Sequence, residues 1–117
     1  MGIQISRDEL PHTEQVHEFV GKRAWGRPLL GYFRACVAWR RPSLHRHPYP
    51  EVFVLESGTA TTPLGDGELV VHGGEIVVAP ANMPHGFTNT GADELRLTSI
   101  HSAAEFNTEW LAGHGPV

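Results

Sequence analysis

The segment Leu44-His45-Arg46-His47-Pro48-Tyr49-Pro50-Glu51 carries two imidazoles two residues apart and a carboxylate four residues beyond the second. Side chains alternate between the two faces of an extended chain, so His45, His47 and Glu51 share one face if the prolines leave the backbone roughly straight. Phe53 and Leu55 continue the same parity, which makes the ligand-bearing face also the apolar one. Two imidazoles and a carboxylate turned toward an interior are costly unless partnered, and one divalent cation satisfies all three. Downstream, an apolar run from Gly74 to Ala79 ends at the Pro80-Ala81-Asn82-Met83-Pro84 turn. His85 then opens a further strand with Phe87 and Asn89 on its own side, so a fourth ligand can come from there.

The elements that must position these groups read as mostly β. Thirteen glycines and nine prolines cut the chain into short pieces, with β-branched and aromatic residues between them. From Leu29 to Trp39, alternation puts Phe33, Ala35, Val37 and Trp39 on one face and Arg34, Cys36 and Arg40 on the other. Further strands are expected at Glu51 to Glu56, Thr59 to Leu64, Glu68 to His72, Glu75 to Ala79, His85 to Asn89 and Glu94 to His101. Ser57-Gly58, Gly65-Asp66-Gly67, Gly73-Gly74 and Asn89-Thr90-Gly91 supply turn chemistry, which favours antiparallel hairpins. Such a series without a core helix points to an all-β sandwich or closed barrel. Glu14 to Lys22 reads either as a short helix or as an arm packing on a neighbouring subunit. Ala103 to Leu111 is the best helix candidate, with Ser102 as N-cap, Phe106 and Trp110 on one face and Gly113 as a stop.

At 117 residues the chain has the size of one domain, read as a single unit over 1–117 with a barrel core at about 29–101. Acidic residues outnumber basic ones, 13 to 9, and no block of like charge stands out, so a nucleic-acid partner is not expected. No apolar run approaches the ~20 residues of a membrane span. Cys36 is the only cysteine, and Met1 to His12 lacks the pattern of a secretion signal, which together suggest a reducing cytoplasm. Met1-Gly2 with Ser6 fits a loose myristoylation pattern that short sequences often meet by chance.

The two histidine-bearing segments resemble the paired motifs of the cupin superfamily, and the chain is similar to small single-domain bacterial cupins. The first motif runs Gly, five residues, His-x-His, three or four residues, Glu, six residues, Gly; His45, His47, Glu51 and Gly58 fall on it. The second runs Gly, five residues, Pro-x-Gly, two residues, His, three residues, Asn; Gly74, Pro80, His85 and Asn89 fall on that. Trp39 stands where the first motif begins with glycine, and Asn82 replaces the turn glycine, a mild change because asparagine tolerates the left-handed region. The resemblance implies a jelly-roll β-barrel. It also implies one divalent transition metal (Fe, Mn, Ni, Co, Cu or Zn) held by His45, His47, Glu51 and His85, with one or two coordination positions open.

Two classes of function follow. One is a metal-dependent enzyme acting on a small organic molecule, an oxygenase first and otherwise an isomerase, cyclase or lyase; the other is a non-catalytic metal or ligand-binding sensor module. Glu51 could double as a base. His101 shares parity with Leu95, Leu97 and Ser99, which makes it a candidate acid–base residue or a support to the ligands, against the ordinary reading of a strand-end histidine as an exposed side chain. Tyr49 and Arg46 flank the ligands, though Arg46 has the opposite parity. Phe33, Trp39, Phe53 and Phe87 read as core, and His12, His17, His72 and His114 as solvated side chains. A homodimer formed by strand addition or arm exchange is expected.

Overall fold

A computed structural model describes residues 2–36 and 44–114. Val37, Trp39 and Arg40 of the first expected strand therefore lie outside the described residues, as does Met1. After a 3-10 turn at Arg7–Glu9 the chain forms β1 (Val16–Val20), a helical turn α1 (Gly21–Trp25), β2 (Leu30–Cys36), β3 (His45–Arg46) and β4 (Glu51–Ser57). There follow β5 (Thr59–Leu64), β6 (Gly67–His72), β7 (Ile76–Ala79), β8 (Thr88–Asn89), β9 (Leu95–His101) and β10 (Glu109–Trp110).

The strands assemble into a five-stranded sheet ordered β1-β2-β9-β4-β7, a three-stranded sheet β6-β5-β8 and a two-stranded pair β10-β3, all antiparallel. Single bridges from His85 to His45 and to Leu64 tie the smaller sheets together. Between the sheets lies one apolar core containing Cys36, Phe53, Leu55, Ala60, Val71, Val77, Leu95 and Leu97. Strand β4 shows how the sequence selects this arrangement. Glu51, Phe53 and Leu55 are buried and Val52 and Val54 are not, the strict alternation of a strand covering a core with one face.

Turn geometry follows the residues that tolerate it. Asn82 has φ of 65°, the one left-handed residue other than glycine among those described, at the position where it substitutes for a glycine. Gly58, at φ 91°, has a second constraint: a Cβ there would lie 2.8 Å from the Glu94 carbonyl oxygen.

Three expectations are corrected. No helix forms over Ala103 to Leu111; the segment bends and then pairs Glu109 with Arg46 and Trp110 with His45. Its backbone is committed to other partners, because Asn107 offers its carbonyl to His47 and the Leu111 N–H donates to the Leu44 carbonyl. The segment Glu14 to Lys22 is neither a helix nor a detached arm, since Val16–Val20 pairs with β2 of its own chain and only Gly21–Trp25 turns helically. In β2 it is Leu30 and Cys36 that are buried, so Tyr32 and Arg34 share the inner parity while Phe33 lies on the outer face. Phe33 there meets Leu10, Phe19 and Trp25 across a cavity of about 480 Å³. Both faces of this strand have apolar neighbours, so alternation alone does not say which face is the inner one.

Candidate metal centre

Strand β4 delivers the carboxylate and β3 with its following turn delivers two imidazoles. Glu51 opens β4 facing inward, His45 lies in β3, and His47 is the first residue after β3. The His45–His85 bridge, with backbone hydrogen bonds of 3.0 and 2.9 Å in both directions, holds His85 beside His45. One ligand atom from each of His45, His47, Glu51 and His85 lies within 4.8 Å of all the others, and three of the four residues are buried.

Hydrogen bonding fixes what these atoms are. His47 Nδ1–H donates to the Asn107 carbonyl and His85 Nδ1–H to the Met83 carbonyl, each at 2.9 Å. A carbonyl can only accept, so in the neutral ring the proton resides on Nδ1 and Nε2 presents a lone pair. Those two Nε2 atoms face the same carboxylate oxygen, Glu51 Oε1, at 3.0 Å from His47 and 3.1 Å from His85. Three acceptors thus converge on one small space, and His47 Nε2 has no hydrogen-bond partner despite full burial. A cation at their centre would resolve the repulsion. Donors at right angles around an ion ~2.1 Å from each lie about 3 Å apart, which is the spacing seen. The residues fit a divalent metal.

The second carboxylate oxygen has its own neighbour. His101, buried on β9, places Nε2 3.1 Å from Glu51 Oε2, and its Nδ1 lies 2.9 Å from the Tyr49 hydroxyl. With Tyr49 O–H donating to Nδ1, the opposite ring nitrogen carries its proton toward Oε2, leaving Oε1 to the metal side. Burial by itself pushes the Glu51 carboxyl up, while the hydrogen bond and charge of His101 draw it down. Tyr49 also stacks on the His47 ring, 4.9 Å between centroids at 13°.

The C-terminal segment closes over this cluster. Phe106 packs against His101 and Tyr32, with centroids 5.3 and 4.8 Å away, and Trp110 lies 4.9 Å from His45. Arg46 points away from the ligands into a two-pronged ion pair with Glu109, at 2.6 and 3.1 Å. His114, set aside in the sequence as solvated, accepts from the Leu44 N–H at 3.1 Å and ties down the end of the segment. Sequence reasoning missed Asn107, Phe106 and Trp110 as parts of the site, having assigned them to a helix. It also passed over Arg34 and Tyr32, although Arg34 as the one charge in the run from Leu29 to Trp39 was the available signal. The Arg34 guanidinium lies 5.0 Å over the Tyr32 ring. Burial draws its pKa down while the charge of Glu51 opposes the shift, which places it within electrostatic reach of that carboxylate.

The Cupin domain family matches residues 38–101, more than half of the chain. The chain belongs to the cupin family. The barrel is similar to that of a mutant of Bacillus subtilis oxalate decarboxylase, with a TM-score of 0.73 at 17% identity over 86% of this chain and 29% of the other. A second structure of that enzyme, studied for its Mn(II) centres, gives 0.75 at 18% identity over 89% and 30%. An uncharacterized Klebsiella pneumoniae protein with a double-stranded β-helix domain gives 0.71 at 17% identity, covering 94% of this cupin and 97% of that chain. This cupin spans about 30% of the length of the decarboxylase chains it matches. None of the curated proteins matches it. No helix among the described residues is long and apolar enough to cross a membrane.

Proposed function

We propose that this cupin is a metal-dependent enzyme, of oxygenase type, acting on a small acidic organic molecule at the mouth of the barrel. The observation that carries this reading is the convergence of the His47 and His85 Nε2 lone pairs on Glu51 Oε1 at 3.0 and 3.1 Å. His45, His47, Glu51 and His85 would hold one divalent ion and leave coordination positions for an oxygen-bearing ligand. That ion would supply Lewis-acid polarisation and, if redox-active, coupling to dioxygen.

The chain's own residues divide the remaining work. His101 keeps Glu51 oriented through Oε2, and Tyr49 holds His101 through Nδ1, so the carboxylate stays aimed at the position the ion would take. Arg34, on the inner parity of β2, provides positive charge that favours an anionic substrate in a half-buried setting. Phe106 and Trp110 limit water on the side of the C-terminal segment. Oxalate, named for the Bacillus relatives, is a small acid of this kind.

The test begins with metal content of untagged protein by elemental mass spectrometry, next to His47→Ala. Near-stoichiometric iron, manganese, copper or nickel, lost in the variant, is the expected result. Oxygen consumption is then followed with a panel of carboxylic acids, diketones, phenols and thiols. Metal bound with no turnover across the panel would move the assignment to the non-catalytic binding module; no metal in either protein would overturn the site itself.

A further inference from the structure

The C-terminal segment touches the candidate metal centre yet is weakly anchored. From Ser102 to His114 no residue is buried. Its ladder with β3 is two residue pairs long, against seven between β2 and β9. Its hydrogen bonds run to one short stretch, Leu44 to Tyr49, which carries two of the four ligands. The Leu111 N–H donates to the Leu44 carbonyl at 3.0 Å, the Leu44 N–H donates to His114 Nδ1 at 3.1 Å, and Arg46 donates to the Glu109 carboxylate. His47 Nδ1–H donates to the Asn107 carbonyl, and Trp110 lies against the His45 ring. The other two ligands are held by the body of the barrel. Glu51 is paired on both sides, with β7 and β9, and His85 Nδ1–H donates to the Met83 carbonyl two residues away.

We propose that this segment is a latch on the site: it lifts before a divalent ion enters or leaves, and its closure sets the affinity for that ion. The inference rests on the metal reading above and concerns the regulation of the same site. Local openings draw on segments with few buried contacts and short ladders, so lifting costs less than unfolding the barrel. Lifting takes away the Asn107 carbonyl, the acceptor that keeps the His47 proton on Nδ1. A neutral ring freed of that acceptor can carry its proton on Nε2, the atom aimed at the position of the ion. Lifting also uncovers His45, which is half-buried where the other three ligands are buried. Groups that orient metal ligands are worth about 10–100-fold in affinity. Coupling of this kind is reciprocal, so an ion bound more tightly by that factor to the closed form favours closure by the same factor.

Two measurements on the full chain test the latch. In the first, hydrogen exchange followed by mass spectrometry is compared without metal and with saturating manganese(II) or zinc(II). Exchange over residues 104–114 is expected to slow by about tenfold or more on loading, while β5 and β6 keep their rates. The second is a reversible lock. Arg46 and Glu109 are direct partners across β3 and β10, at a separation that a disulfide can bridge. In the double variant Arg46→Cys with Glu109→Cys, the oxidised protein is expected to release its ion to a chelator about tenfold more slowly, or slower still, than the same protein after reduction. Cys36 is buried and stays out of the exchange. Equal release rates in the two states, or loading that leaves exchange in the segment unchanged, would overturn the latch and leave the site standing. If neither ion binds the wild type, the metal reading fails and the latch with it.

Discussion

The two faces of β4 differ by one residue step and by everything that surrounds them. Glu51, Phe53 and Leu55 face inward, where Phe53 meets Phe87 edge-on at 4.3 Å and Glu51 meets three imidazoles. Val52 and Val54 face outward in a row with Ile76, Val78 and Ile100. On the inner face every side chain has a neighbour within the chain, and Glu51 is ringed by imidazoles. On the outer face the apolar side chains of β9 and β7 touch their cross-strand neighbours but are covered by no described segment. One strand therefore has two faces that substitution can separate: the inner positions carry the core and the candidate metal ligand, and the outer ones carry the apolar row.

The largest expected effect is at Phe53. Truncation of this fully buried ring, Phe53→Ala, should lower unfolding free energy by about 3–5 kcal/mol in denaturant titration, whereas Val54→Ala next to it should cost about 1 kcal/mol or less. Equal losses at the two positions would break the contrast between the faces.

Next in size is the loss of ligand support. His101→Ala leaves the four ligands in place but removes the group at Glu51 Oε2, and should weaken metal affinity by about 10–100-fold in a chelator competition. Val78→Lys should leave that affinity unchanged.

A smaller effect concerns Tyr32, on the inner parity of β2. Burial, then the charge and hydrogen bond of Glu18, raise its pKa above the ordinary 10.0. The unfolded tyrosine loses its proton first, so this contribution to stability is complete below pH 10.0 and declines as pH rises beyond it. Tyr32→Phe should flatten the alkaline limb of a stability–pH curve; an unchanged limb would show that Tyr32 is not held in this way.

The smallest effect belongs to the exposed Arg46–Glu109 pair at the edge of the site. Glu109→Ala should leave thermal stability nearly unchanged but speed metal loss to a chelator, because it frees one tie of the C-terminal segment. No change in that rate would mean that Phe106, the Asn107 carbonyl and Trp110 hold the segment without it.

How much of this was legible depended on the distance between the parts. His45, His47 and Glu51 lie within seven residues, and the period of an extended chain is local, so their convergence could be read directly; the parity of His101 with Leu95 and Leu97 offered its burial only as one of two readings, and the structure selects it. The strands from Glu51 to His101 were readable for the same reason, each bounded by its own turn residues. The fate of Ala103 to Leu111 was not. The spacing of Phe106 and Trp110 suits a helix, but the hydrogen bond from His47 to Asn107 spans sixty positions, and only folding brings that competitor close.

The sequence by itself determined most of the strand pattern and the turns, and put His45, His47 and Glu51 on one face, because each rests on contacts between near neighbours or on local spacing; His85 joined them through the resemblance to the cupin motifs. Only the tertiary structure decided which face of β2 is inside, that Arg34 and Tyr32 lie within reach of the ligands, and that the C-terminal segment covers them. Those outcomes depend on which of two apolar faces finds the larger partner and on hydrogen bonds that close over sixty residues, quantities that no local period encodes.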